Sequence, residues 1–215
     1  MLIGLVLAAF ATGAIAISMS VLLTKQRIKT PDPMTPDLNM DLLSFPEFSL
    51  TSQAEKPVSR NDLLGGVTIV DFFFSNCKSI CPALSHNLKE AQDQLAGSNV
   101  RFLSISVDPD HDTPQQMRNY AKSVGANTEK WTFASGDLTQ IKTILTKGLL
   151  LAEPYQDATA SIELPGGGTM GNISHPSHFF LVGPSAEVIA LYNGLDAEQV
   201  SMLVDRARAI DNEIK

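Results

Sequence analysis

The sequence predicts an α/β domain with a mixed central β-sheet flanked by helices, preceded by one membrane-spanning helix. Short apolar runs rich in β-branched and aromatic residues alternate with helical patterns between residues 66 and 210. The last two runs are joined through "GPSA", which predicts a close antiparallel pair. Residues 1–23 contain no charged side chain, and a helix of that length would span the ~30 Å hydrocarbon layer of a bilayer.

We interpret residues 1–23 as a transmembrane anchor. Residues 14–16, "AIA", could instead form the cleavage site of a secretory signal, but such a signal normally opens with Lys or Arg, and this segment opens with apolar residues. The only nearby cations, between residues 25 and 29, follow the span, so the positive-inside rule alone would hold the domain in the cytoplasm. A start further upstream, with basic residues of its own, would remove that conflict.

Residues 24–43 include a stretch rich in Pro and Asp that cannot continue a helix, and they predict a linker before a domain at 44–215. Three of the 16 basic residues precede residue 31, whereas none of the 23 acidic residues does. The soluble part is therefore strongly acidic, and nucleic acid is excluded as a partner because phosphate binding requires a basic face.

The elements of the domain follow from the apolar patterns. The strands are predicted at 66–74, 99–107, 178–182 and 187–193, with a short strand in "WTFASGD". The helices are predicted at 84–97, 114–124, 137–147 and 196–210. The glycines of "PGGGTMGN", residues 165–172, predict a mobile loop. Alternating strands and helices predict parallel strands buried on both faces, and the final hairpin makes the sheet mixed.

The only two cysteines lie in "FFFSNCKSICPAL", where the first parallel strand turns into a helix. Together with the order of strands and helices, this placement is typical of a thioredoxin-like fold. Cys77 and Cys81 have i, i+4 spacing, which predicts both sulfurs on one side of the first helical turn, exposed and favoured as thiolates by the helix dipole. A structural disulfide or a pair of inert buried thiols is the alternative, but so short a loop would constrain the unfolded chain little.

Two thiolates are soft ligands that suit copper(I) or zinc, and a specific site needs a third ligand. Among the four histidines, His86 is predicted to be a solvated side chain on the cysteine helix, and His111 lies in a strand-end loop, "VDPDHDTP". His175 and His178 lie at the entrance to a strand, in "GNISHPSHFFLVGP". From the residues alone, metal binding and thiol exchange both remain open.

Taken together, "FFFSNCKSICPAL", "SISVDPDHDTP" and "ISHPSHFFLVGPSAEVIALYNG" resemble the Sco/SenC family, membrane-anchored thioredoxin-like proteins that deliver copper to cytochrome c oxidase. The resemblance covers residues 44–210. It implies a copper site formed by Cys77, Cys81 and a distant histidine. The family histidine lies eight residues before a G-P turn, which assigns His175 rather than His178. Thiolates hold copper(I), and the added imidazole supports copper(II).

Three further residues are singled out, the first two by the resemblance and the third by its residue type and position. Asp108 matches the Asp of the family's S-V-D-P segment and is expected to support the site through hydrogen bonds. His111 stands where relatives usually carry Arg, which puts any ion pair made by that Arg in question. Met170, in the glycine-rich segment, is a possible soft auxiliary ligand, although an exposed loop Met is the simpler expectation.

The leading hypothesis is a metallochaperone, a carrier rather than an enzyme, that passes copper to the binuclear copper site of cytochrome c oxidase. Its expected partners are the copper-binding subunit of the oxidase, a copper donor protein and the membrane, with the soluble domain on the extracytoplasmic side (the periplasm or the equivalent inner-membrane space). The alternative is a thiol-disulfide oxidoreductase that keeps the oxidase cysteines reduced, with Cys77 as the attacking thiol. A peroxidase is disfavoured because no dedicated peroxidase cysteine pattern is present.

Overall fold

A computed structural model of the chain describes residues 32–164 and 167–215. The predicted anchor at 1–23 and the first part of the predicted linker lie outside these ranges, as do two residues of the glycine-rich segment. Within the described ranges, no helix has both the length and the hydropathy that crossing a membrane requires. Residues 33–215 form one compact unit.

Seven strands form a central sheet with the order β2-β1-β5-β4-β3-β8-β9. The pairs β3–β4 and β4–β5 are parallel, and the remaining pairs are antiparallel, which confirms the predicted mixed sheet. The strands are β1 Ser49–Ser52, β2 Pro57–Ser59, β3 Thr68–Phe73, β4 Arg101–Ser106, β5 Trp131–Ser135, β8 His178–Val182 and β9 Val188–Asn193. All six residues of β3 are buried because this central strand is covered on both faces.

Four α-helices connect or follow these strands: α1 Cys81–Gln94, α2 Pro114–Ser123, α3 Leu138–Thr143 and α4 Ala197–Glu213. Short 3₁₀ turns occur at Met40–Leu42 and Arg60–Leu63, and α3 continues into a π-helical turn, Ile144–Gly148. Several helix starts are capped as their sequences predict. The Thr113 side chain accepts a hydrogen bond from the Gln116 N–H ahead of α2, and Asp196 accepts from two N–H groups ahead of α4.

The sheet carries a hydrophobic core on each face. One core lies under α1, α2 and α4 and contains Trp131 and Phe133 of β5. The other lies under α3 and the π-helical turn and contains Phe72 of β3 together with both cysteines. The cysteines therefore lie where the second core reaches the start of α1.

A two-stranded antiparallel sheet, β6 Tyr155–Glu163 and β7 Thr169–Ser174, packs on the second core. The prediction of a mobile loop across 165–172 is wrong for its second half, because Thr169–Asn172 belong to β7. The turn between the strands contains Gly167 and Gly168, which have φ angles of 97° and 90°. Met170 is not an exposed loop residue either, since it pairs with Ile162 and is 7% exposed.

Residues 33–43, predicted as the end of the linker, lie against β9 and α4. The Arg206 guanidinium donates to the carbonyls of Pro33 and Thr35 and pairs with Asp37 at 2.7 Å. The Asp37 N–H donates to the Ile189 carbonyl at 2.8 Å. This contact occupies part of the open edge of β9, a position that would otherwise present unpaired backbone groups.

Candidate metal centre

The two cysteines lie on either side of the junction between β3 and α1. Phe74 to Cys77 form a turn, in which the Cys77 N–H donates to the Phe74 carbonyl at 3.1 Å. Helix α1 begins at Cys81, and Pro82 occupies its first turn, where a missing N–H leaves no hydrogen bond unmade. The expectation that both cysteines lie on the first helical turn is therefore wrong for Cys77, which precedes the helix.

The helix start still holds the sulfurs together. The Cys81 N–H donates to the Cys77 Sγ at 3.4 Å, so one unpaired donor of the helix start is directed at this sulfur. Both thiols are free. They are also buried, with Cys77 7% and Cys81 1% exposed, which corrects the expectation of an exposed pair. The second core, rather than solvent, surrounds them.

His175 follows β7 and reaches the cysteines from the opposite side. Its Nε2 lies 3.0 Å from Cys81 Sγ, and its Nδ1 lies 3.0 Å from the Pro176 carbonyl. A carbonyl only accepts, so Nδ1 donates its proton to Pro176, and this contact turns Nε2 towards the sulfur. The Phe74 ring meets the imidazole edge-on, with the ring centroids 5.7 Å apart.

The Sγ atoms of Cys77 and Cys81 and a ring nitrogen of His175 all lie within 4.8 Å of one another. Within the described part of the chain, no other group of three or more His, Cys, Asp or Glu side chains is spaced to hold a metal ion. His86 is 69% exposed and pairs with Glu90 on the helix surface, as predicted. His178 begins β8, as predicted, and is exposed.

The two thiols share their proton unequally. A hydrogen bond from the Cys81 thiol lowers the pKa of Cys77 to about 3, with smaller contributions from His175 and Ser79 that outweigh burial. The same hydrogen bond, followed by burial, raises the pKa of Cys81. Cys77 is therefore a thiolate at neutral pH, and Cys81 retains its proton until a metal or an oxidant removes it.

A buried carboxylate, Asp71, lies in β3 beneath this centre, and the sequence analysis missed it. Burial raises its pKa to about 6, although a hydrogen bond from Ser104 and the charge of His175 oppose the shift. The Ser104 hydroxyl donates to Asp71 and accepts from the Trp131 indole N–H at 2.8 Å. The signal was present in the sequence, because Asp71 is the only charged residue of the apolar run "GVTIVDFFF".

Asp108 does not have the role expected of it. Its carboxylate pairs with the His111 Nδ1 at 2.8 Å within the loop between β4 and α2. This ion pair raises the pKa of His111. A histidine at this position therefore keeps a charged contact with Asp108, but only while its ring is protonated.

Three comparisons with known proteins agree with this geometry. A family model described as SCO1/SenC matches residues 40–210. The SCO1 protein homolog of Bacillus subtilis (strain 168) is 32% identical over 152 residues, which cover 69% of this chain and 73% of the relative. The structure of BsSco, a member of the Sco family of cytochrome c oxidase assembly proteins with a disulfide switch, is 28% identical, with a TM-score of 0.63 over 81% of this chain and 96% of that chain.

The structure of Arabidopsis thaliana ScoI, solved with copper bound, is 24% identical, with a TM-score of 0.61 over 76% of this chain and 97% of that chain. This similarity is one of fold. The thioredoxin-like α/β fold predicted from the sequence is thereby confirmed. The matched residues, 40–210, make up most of the chain, and they contain both cysteines and His175. The chain belongs to the SCO1/SenC family.

Proposed function

We propose that the protein is a copper-binding protein of cytochrome c oxidase assembly, with Cys77, Cys81 and His175 as the copper ligands. The observation that carries the proposal is the convergence of these three donor atoms within 4.8 Å. Thiolate sulfur and imidazole nitrogen suit copper, which takes soft sulfur ligands as copper(I) and accepts nitrogen as copper(II). A similar protein supports the choice of metal, since ScoI of Arabidopsis thaliana was solved with copper bound.

The donor set is prepared for a metal in three respects. Cys77 is a thiolate before binding, so only Cys81 has to lose a proton. The Nδ1 of His175 is held by the Pro176 carbonyl, which fixes the ring with its Nε2 directed at the sulfurs. The surrounding core excludes water from both sulfurs. Copper in this role is cargo, received from a donor protein and passed on by ligand exchange.

We further propose that the carrier is membrane-anchored and delivers copper to the binuclear copper site of the oxidase. In this arrangement residues 1–23 are the anchor, 24–43 the linker and 44–215 the copper-binding domain on the extracytoplasmic side. Support comes from the uncharged segment 1–23. A SCO1/SenC family lipoprotein from Bacillus anthracis, 23% identical with a TM-score of 0.69, gives an example of the fold in a protein attached to a membrane.

The second candidate function is thiol-disulfide exchange with the cysteines of the oxidase copper site. Two free thiols at a helix start, one of them with a strongly lowered pKa, favour it. The identification of a disulfide switch in the related protein BsSco supports it. The two functions differ in their need for His175, because copper(II) binding uses the imidazole, whereas exchange uses only the sulfurs.

The test is copper binding by the full-length chain in detergent micelles, with a chromogenic chelator as competitor. Reduced wild type should bind one copper(I), and Cys77→Ser or Cys81→Ser should lose tight binding. His175→Ala should keep copper(I) but lose the thiolate-to-copper(II) absorption band and retain thiol exchange. His178→Ala is the matched control and should keep the band. Loss of the band in His178→Ala alone, or equal copper(I) binding before and after oxidation of the thiols, would contradict the ligand assignment.

A further inference from the structure

Asp112 is a buried carboxylate that lies outside the metal centre. It is 1% exposed and immediately precedes the Thr113 cap of α2. Its two oxygens accept hydrogen bonds from the Ser75 N–H, each at 3.2 Å, and from the hydroxyls of Ser75 and Ser106. Burial raises its pKa, and the Ser106 and Ser75 hydrogen bonds oppose that shift. Burying a carboxylate is costly unless its oxygens are satisfied, and the serines satisfy them here.

Ser75 belongs to the turn that carries Cys77. The turn runs from Phe74 to Cys77 and is closed by the Cys77 N–H to Phe74 carbonyl bond. The Ser75 hydroxyl also accepts a hydrogen bond from the Gln116 side chain of α2 at 3.3 Å. The backbone of the turn is therefore tied on one side to the end of β3 and on the other to the residues that begin α2.

Besides the apolar side chains of the second core, Cys77 is held by the hydrogen bonds of its turn. Cys77 lies before α1, so no helical hydrogen-bond ladder fixes its backbone. Its Sγ accepts from the Cys81 N–H at 3.4 Å and lies 3.5 Å from the Ser79 hydroxyl, and both contacts require the turn to keep its shape. The carboxylate of Asp112 holds this turn through its hydrogen bonds from Ser75.

We propose that Asp112 is a positioning residue that sets the distance between the sulfurs of Cys77 and Cys81 by anchoring Ser75. The proposal rests on the use of the two sulfurs as a pair, which the proposed function requires. Its consequence is a raised effective concentration of one thiol at the other, because a restrained sulfur has fewer positions away from its partner. Loosening the turn should weaken every reaction that needs both sulfurs at once.

The test uses the metal-free full-length chain, so a failure of copper binding would not affect it. Glutathione disulfide is reduced to two glutathione thiols while the Cys77 and Cys81 thiols are oxidised to one disulfide, and the equilibrium constant measures the effective concentration of the protein thiols. Asp112→Ala removes the hydrogen bonds from both the N–H and the hydroxyl of Ser75 and should lower that constant about tenfold. Acid-quenched alkylation and mass spectrometry give the ratio of disulfide to dithiol.

Two variants separate positioning from charge. Asp112→Asn removes the charge but keeps an oxygen that can accept from Ser75, so it should stay within about threefold of wild type. Ser75→Ala keeps the carboxylate and removes one bond to it, and it should lower the constant by about threefold. Asp110→Ala, an exposed acidic residue of the same loop, is the matched control and should change it by less than about twofold.

Each result decides for or against the proposal. Equal effects of Asp112→Asn and Asp112→Ala would mean that only the charge matters, and an unchanged or increased constant in Asp112→Ala would mean that the turn needs no anchor. Either result overturns the proposal. If Asp112→Ala does not fold, Ser75→Ala still tests the proposal, since an unchanged constant would show that the hydrogen bond from the Ser75 hydroxyl to Asp112 does not position Cys77.

Discussion

Replacing the Asp71 carboxylate by a neutral amide should stabilise the protein at neutral pH. Asp71 is 3% exposed, and burial raises its pKa from 3.8 to about 6. That difference corresponds to a penalty of about 3 kcal/mol for keeping the residue ionised in the folded state. Asp71→Asn removes the penalty and keeps an oxygen that can accept from Ser104, whose hydroxyl donates to Asp71.

The sign of the effect follows from the direction of the pKa shift. Below pH 3.8 the carboxyl is neutral in both the folded and the unfolded states and costs nothing. As the pH rises towards 6, Asp71 ionises in the unfolded chain but stays protonated in the folded protein. The free energy of unfolding of the wild type therefore falls relative to that of the variant. Above pH 6 the penalty is constant. The stabilisation by Asp71→Asn should therefore be about 2 to 3 kcal/mol larger at pH 7.5 than at pH 4.

Urea unfolding of the reduced, metal-free protein measures this difference. Trp131 is the only tryptophan, and it is fully buried, so its fluorescence reports unfolding directly. Any change in packing caused by the amide is common to both pH values and cancels in the comparison. Asp110→Asn, at an exposed site, should change stability by less than about 0.5 kcal/mol at either pH. The same stability gain for Asp71→Asn at pH 4 and pH 7.5 would refute the argument.

Two further predictions concern the titration of other groups. Cys77 should react with iodoacetamide before Cys81, and its reaction rate should stay nearly constant from pH 8 to pH 5 because its pKa is lowered to about 3. Peptide mass spectrometry measures both rates. A tenfold fall in the Cys77 rate per pH unit would contradict the thiolate assignment. His111→Ala should destabilise the protein below pH 6.5 by at most about 1 kcal/mol, with the effect lost as the pH rises through the raised pKa of His111, because the ion pair with Asp108 is partly exposed. Urea unfolding at pH 6 and pH 9 measures the effect, with His86→Ala on the surface of α1 as the control. An equal loss of stability for His111→Ala at the two pH values would argue against the ion pair.

The buried strands and the long helices could be predicted because their periodicity is a local property. Strand β8 was predicted with its observed bounds, and β3 and β4 within two residues at either end. Strands β1, β2, β6 and β7 were missed. Their sequences are polar or alternate weakly, and they become strands by pairing with a neighbour, which a local pattern does not reveal.

For the candidate site, the identities of the chemical groups were readable in the chain, and their environment was not. Two cysteines separated by three residues and a histidine near a strand can be read directly from the sequence. Both sulfurs are buried in a core to which the β6–β7 sheet contributes side chains from a distant part of the sequence. The position of Cys77 before rather than within α1 depends on the turn at Phe74. Met170 was misjudged for the same reason, since β7 turns it towards the core.

The resemblance to the Sco/SenC family favoured His175 through its spacing from the G-P turn. By itself, the sequence determined the α/β class and the two thiols at a strand-to-helix junction. These depend on side-chain chemistry and on short-range periodicity, which act within a few residues along the chain. Only the tertiary structure decided that His175 reaches Cys81 across 94 residues of sequence, that Asp71 lies beneath them, and that Asp112 holds the turn of Cys77. Such contacts depend on how strands distant in sequence are ordered in the sheet, because burial and hydrogen bonding between remote residues exist only once the chain has folded.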